Sequence, residues 1–116
     1  MKRQRESDIQ RAILTALAGR ADLRIWRQNT GAARRKSGAL VRFGVPGQAD
    51  LSGILTDGRR LEIEVKTARG KQSDQQIAYQ EMIREYGGVY ILARSPEDAI
   101  RGLEGAGFPD RRLTCP

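Results

Sequence analysis

Asp50, Glu64 and Lys66 stand in the stretch that runs from Gly47-Gln-Ala-Asp50 to Glu64-Val-Lys66. Two carboxylates are the hard oxygen ligands that Mg²⁺ takes, and a lysine beside them can orient or activate a water. Phosphodiester hydrolysis needs charge stabilisation at phosphorus and an activated water, and one or two such ions supply both. Asp50 and Glu64 on adjacent strands can ligate one ion, and a backbone carbonyl near Val65 can complete the protein's share. Lys66 points into the same space and can position the nucleophile or neutralise the transition state. The bland alternative is an ion pair between Glu64 and Lys66 on an exposed strand, worth about 0 to 1 kcal/mol.

The rest of the composition narrows the chemistry. The chain has no histidine, which removes Ser-His-Asp and Cys-His catalysis, histidine-zinc hydrolysis and histidine-based nuclease sites. Its one cysteine, Cys115, leaves no intrachain disulfide and no cysteine zinc site. Lys and Arg number 21 against 14 acids, a formal +7 that favours a polyanion such as nucleic acid. The opening Met-Lys-Arg-Gln-Arg-Glu lacks an apolar signal core and no run reaches membrane-spanning length, so a cytoplasmic protein with no membrane partner is expected. At 116 residues with 39 % hydrophobic content, a single α/β domain over residues 1–116 with one modest core is expected.

These residues need a scaffold. Ile9, Ala12, Ile13, Ala16 and Leu17 recur at helical spacing, which predicts a helix over 4–18 stopped at Gly19. Glu6 lies three residues before Ile9, where it either looks into the sheet from the helix start or complements the helix dipole. Leu23, Ile25 and Trp26 predict a short strand, with Trp26 read as a packing residue or dimer contact ahead of a base-stacking platform. Residues 32–42 read as a flexible basic loop whose Arg34, Arg35, Lys36 and Arg42 contact phosphates, or as a merely solvated loop.

Strands are expected over 49–56 and 61–67, joined at Asp57-Gly58. Leu61, Ile63 and Val65 alternate with Glu62, Glu64 and Lys66, so Glu64 and Lys66 share a face. Asp50 joins that face only in the right register. A two-residue loop sets Asp50 opposite Val65, on the wrong face. A three-residue loop Asp57-Gly58-Arg59 pairs Thr56 with Arg60 and sets Asp50 opposite Lys66, and this version is predicted. Ser73-Asp-Gln-Gln76 has the form of a capping box that opens a helix to about Tyr86, with Tyr79 on its core side. Val89 to Ala93 is a buried strand, which completes a βαβ unit, and Ser95-Pro96 caps a last short helix. The tail from Gly105 reads as irregular.

Taken together, Glu6 on a first helix, Gly47-Gln-Ala-Asp50, Glu64-Val-Lys66 and Gln76 or Gln80 on the second helix resemble the PD-(D/E)xK, restriction-endonuclease-like nucleases. Within them the chain is similar to the small stand-alone VRR-NUC domains of phage or bacterial kind, over roughly residues 4 to 100. Ala49 stands where the wider motif has its proline. The resemblance implies an α/β core of αβββαβ order, a mixed sheet flanked by helices. It also implies Mg²⁺- or Mn²⁺-dependent cleavage of DNA, with Asp50 and Glu64 as ligands and Lys66 catalytic. Glu6 would reach the metal directly or through water, and the glutamine would brace the site or contact phosphate. A homodimer acting on branched DNA such as Holliday junctions is implied too. Two other functions stay open: a non-catalytic DNA-binding or assembly module, and an RNA-processing nuclease, because such a site is indifferent to the 2′-hydroxyl.

Overall fold

The computed structural model describes residues 4–28 and 31–113, with the backbone alone for 31–34, 41–43 and 113. Its elements run α1 (Glu6–Leu17), β1 (Leu23–Arg27), β2 (Gly31–Arg34), β3 (Leu40–Phe43), β4 (Leu51–Leu55), β5 (Arg60–Val65), α2 (Asp74–Glu85), β6 (Val89–Ala93) and α3 (Pro96–Gly105), then a 3₁₀ turn at Arg111–Leu113. The domain is α/β, with a mixed four-stranded sheet in the order β1-β4-β5-β6. β4 is antiparallel to β1 and β5, and β6 is parallel to β5. The parallel pair follows from α2, since a helix must carry the chain back to the starting end of the sheet before β6 can begin.

Both faces of the sheet are covered, by different helices. Ile9, Ile13 and Leu17 of α1, with Ala99 and Leu103 of α3, pack on Leu51, Leu61, Ile63 and Val65. Each of the large aliphatic side chains contributes about 1.5–3 kcal/mol by leaving water. On the other face α2 lays Tyr79 and Ile83 against Ala49 and Tyr90. β5 is therefore buried on both sides from Leu61 to Val65, its charged face included.

The β4–β5 turn departs from the predicted register. Leu55 pairs with Arg59 through a 2.9 Å backbone hydrogen bond, so the loop is Thr56-Asp57-Gly58. It has three residues, as predicted, but lies one residue earlier in the chain. Gly58 takes φ +89, the left-handed value this loop type requires, and Asp57 accepts the Arg59 N–H at 3.0 Å. Leu51 consequently faces Ile63, and continuing that register sets Asp50 opposite Glu64 rather than Lys66. A slip of two residues preserves the face, so Asp50 still joins the acidic side.

The segment 32–42 also differs. Its ends form a separate two-stranded antiparallel sheet, with Ala33 opposite Val41, rather than a flexible loop. The turn closes by hydrogen bonds from Arg35 N–H to the Ala39 carbonyl and from Gly38 N–H to the Arg35 carbonyl, both 2.8 Å. Leu40-Val41 supplies the β preference that the surrounding charges mask. The 105–113 tail, expected to be irregular, is pinned down. The Arg112 guanidinium donates to the Ala16 and Ala18 carbonyls at 2.7 and 2.6 Å, at the open end of α1, and pairs with Asp110.

Candidate active site

Three elements meet at Glu64. β5 carries it, β4 brings Asp50 opposite, and α2 lowers its first turn over both. Glu64 is 1 % exposed, so its carboxylate has lost nearly all water contact. One oxygen, Oε2, accepts a 2.7 Å hydrogen bond from Gln76 Nε2 and lies 4.0 Å from the Lys66 ammonium. The other, Oε1, is buried with no hydrogen-bond partner among the described residues. Burial first, then the facing Asp50 carboxylate, which competes for the same proton, push the Glu64 pKa far above the usual carboxylate range. Lys66 works in the opposite direction and does not offset them. Asp50 itself is held by the Val65 N–H, which donates to its Oδ2 at 2.9 Å.

Gln76 does both things the sequence offered as alternatives. Its backbone N–H donates to Ser73 Oγ at 3.2 Å and its Oε1 accepts from the Ser73 N–H at 2.8 Å, the reciprocal pair of a capping box. The remaining amide group is what reaches Glu64. Gln80 is elsewhere: it accepts from Gln72, which also donates to the Tyr90 hydroxyl. The site glutamine is thus Gln76.

Gly47 explains why α2 can come so close. A Cβ built on it would sit 2.2 Å from the Gln75 carbonyl oxygen, and its φ of +77 already favours glycine. Backbone meets backbone there, and the first turn of α2 is set directly above the Asp50 strand.

Glu6 does not join the carboxylate pair. It begins α1 and lines an adjoining cleft of about 650 Å³ with Arg5, Thr67, Arg69 and Arg94. The cleft starts one residue past Lys66, and Arg94 fixes its wall by donating to the Thr67 and Gly70 carbonyls at 2.5 and 2.8 Å. Among the described residues no three acidic, histidine or cysteine side chains form a group able to hold a metal. Arg35 and Lys36 are exposed on the β2–β3 turn. Arg34 and Arg42 lie in its strands, and their side chains fall outside the described residues.

A second buried acid was not anticipated. Glu62, wholly buried, is hydrogen-bonded by the Ser52 and Tyr79 hydroxyls and lies 3.3 Å from Arg60 Nε. Burial, then its bond to Glu62, push the Tyr79 phenol upward. Strand alternation gives Glu62 the face of Glu64 and Tyr79 the core side of α2, so the signal was present once α2 is known to cover that face. Tyr79→Phe leaves a buried carboxylate short of a donor. It should cost about 1–3 kcal/mol, read as a lower urea midpoint with unchanged m-value.

The alternative reading, a Glu64–Lys66 ion pair on an exposed strand, holds only in part: the pair is present at 4.0 Å, but Glu64 is buried and its closest donor is a helix glutamine. What is assembled is two facing carboxylates, one of them destabilised as an anion, with an ammonium and an amide donor alongside. Such a group wants a proton or a cation. Among the described residues no helix is long and apolar enough to cross a membrane. No protein-family model matches the chain, and no curated protein is significantly similar to it.

Proposed function

We propose that the protein is a divalent-metal-dependent DNA endonuclease built on a restriction-endonuclease-like core of the VRR-NUC kind. The observation that carries this reading is the buried Glu64 carboxyl group facing Asp50, its Oε1 given no donor by the described residues, with Lys66 on the same face. Burying a carboxylate against a second, half-buried one costs several kcal/mol unless a proton or a cation completes them. The donor set fits Mg²⁺ or Mn²⁺: Asp50 and Glu64 would supply hard carboxylate oxygens and Val65 its backbone carbonyl, with water and phosphate oxygens able to complete the coordination. A bound ion would neutralise developing charge on the phosphoryl oxygens and lower the pKa of a water.

The chain's own groups have separate tasks. Gln76 fixes the rotation of the Glu64 carboxylate, leaving Oε1 directed away from the helix bond. Val65 N–H does the same for Asp50. Lys66 offers its ammonium to a non-bridging phosphate oxygen or to the attacking water. Arg35 and Lys36 with Arg34 and Arg42 give the β2–β3 hairpin a basic character suited to backbone phosphates at a distance from the cut. A homodimer would present two such sites to branched DNA.

The test uses labelled four-way junction, flap, duplex and single-stranded DNA with Mg²⁺, Mn²⁺ or EDTA. Cleavage is expected with either metal and none with EDTA. Lys66→Ala and Asp50→Ala should each lose roughly 10²-fold or more of the rate. Activity in EDTA, or an undiminished Lys66→Ala enzyme, defeats the mechanism. Binding of junctions without cleavage points to a non-catalytic module.

A further inference from the structure

The α2 face of the sheet is covered only in part. Cross-strand partners share a face, so the register places Trp26, Ser52, Glu62 and Tyr90 in one row across β1, β4, β5 and β6. Tyr79 of α2 closes over Glu62, and Ser52 is buried beneath it. At the β1 end the cover stops. Trp26 is 47 % exposed, and in the next row Arg24, Ile54 and Arg60 are exposed as well.

That leaves an indole on an open sheet face beside Arg24, with Ile54 and then Arg60 along the next row, in a chain of formal charge +7. Among the described residues no hydrogen bond or ion pair engages the Arg24 guanidinium, whereas Arg60 pairs with the buried Glu62 at 3.3 Å and also interacts with the Tyr79 hydroxyl. The row on the other side of Trp26 is the candidate site itself. Gln28 N–H donates to the Asp50 carbonyl at 2.8 Å, which continues the β1–β4 register to the Gln28, Asp50 and Glu64 row. Trp26 therefore stands one strand across and two residues along from Asp50, about 8 Å between Cα atoms. One nucleotide spans that interval.

We propose that this uncovered patch, centred on Trp26, is a stacking site for an unpaired base of the strand whose phosphate lies at the carboxylate pair. The inference rests on the nuclease reading for the position of that phosphate. A paired base has both faces stacked already and cannot lie flat on the indole without leaving its helix. The patch thus favours DNA with single-stranded character beside the cut over intact duplex. Charge alone would attract any polyanion, whereas an exposed aromatic face adds stacking that every base can provide. Ile54 extends the apolar floor, and Arg24 and Arg60 suit the flanking phosphates.

Trp26 is the chain's only tryptophan, so its emission reports on this patch alone. The protein in EDTA, where no cleavage is expected, is titrated with oligo(dT), with blunt duplex and with inorganic polyphosphate. Oligo(dT) should quench the emission strongly, while duplex and polyphosphate bind with little quenching. Trp26→Ala should weaken oligo(dT) binding roughly tenfold by anisotropy and Trp26→Phe less, with duplex binding unchanged in both. Equal quenching by polyphosphate, or unchanged oligo(dT) affinity in Trp26→Ala, overturns the stacking site. Emission that shifts with protein concentration alone, with a dimer lost in Trp26→Ala, assigns the patch to a second copy and overturns it too. Because every readout is binding in EDTA, loss of the stacking site with intact Mg²⁺ cleavage leaves the nuclease reading standing. Quenching without cleavage would instead remove the nuclease and keep the base site.

Discussion

Glu64→Gln should abolish cleavage and at the same time raise the melting temperature of the metal-free protein at pH 8. The two effects have one cause. In the folded chain Glu64 holds its proton far above the ordinary glutamate value of 4.5, because it is buried and faces Asp50. The folded state therefore binds more protons than the unfolded state once pH exceeds that value, and stability falls as pH rises. The loss begins near the unfolded pKa and continues until the folded group also ionises. Glutamine keeps the volume and an acceptor for Gln76, and its amide can donate to Asp50 where the carboxyl proton stood. The variant should lose the pH dependence between about 5 and 8 in EDTA. A gain of even about 1 kcal/mol corresponds to roughly 4 °C in a chain of this size. Adding Mg²⁺ or Ca²⁺ should raise the wild-type melting temperature at pH 8 and leave the variant little moved, since only Glu64 can give up its proton and join Asp50 as a second carboxylate ligand. A variant whose melting temperature falls further below wild type as pH rises from about 5 to 8 would show that Glu64 is stabilising as an anion, against this account.

Gly47→Ala should be strongly damaging for a single added methyl group. Left-handed φ costs a residue with a Cβ about 1–2 kcal/mol. Gly58, with φ +89 and nothing within 4 Å, measures that strain alone. At Gly47 the added carbon also meets the Gln75 carbonyl at 2.2 Å, and the obstacle is backbone that no rotamer change can move. Overpacking of this kind costs about another 1–3 kcal/mol. The helix must lift, and the Gln76 bond to Glu64 is the contact in its path. Gly47→Ala should therefore lose both stability and metal-dependent activity, while Gly58→Ala loses a little stability and no activity. Equal behaviour of the two would mean that only φ matters and that the approach of α2 is not tight.

Much of this arrangement was legible in the chain. The helical spacing of Ile9, Ile13 and Leu17 and the run Val89–Ala93 are strong periodic signals, and the Ser73 and Ser95 caps are local chemistry. Alternation in β5 placed Glu64 and Lys66 on one face without any tertiary information. Register was harder, because Thr56 and Leu55 are equally able to close a glycine loop. What decided it was Asp57, which folds back on the Arg59 N–H and guanidinium and draws Arg59 into the pair with Leu55. The basic hairpin escaped notice because charge density masked a short β-prone segment whose pairing is local. The burial of Glu62 and the exposure of Trp26, which the sequence reads as a packing residue or dimer contact, went unforeseen for one shared reason. Alternation tells which face a residue is on, but only the placement of α2 tells which half of that face is dry.

Gln76 joins the capping of α2 to the positioning of Glu64, so the site is only as persistent as one terminal helical turn. Helix ends fray and reform within about a microsecond. Enzymes that cut DNA turn over far more slowly, commonly at about 1–10³ events per second. If the site cuts DNA as proposed, the turn would open and close at least thousands of times per turnover, and the reaction would sense the fraction of time it is closed. Weakening Ser73 as a cap should lower the rate in simple proportion to that fraction, without adding a slow step or a lag. In this fold the strength of a helix cap sets an occupancy for the site and not a gate in time.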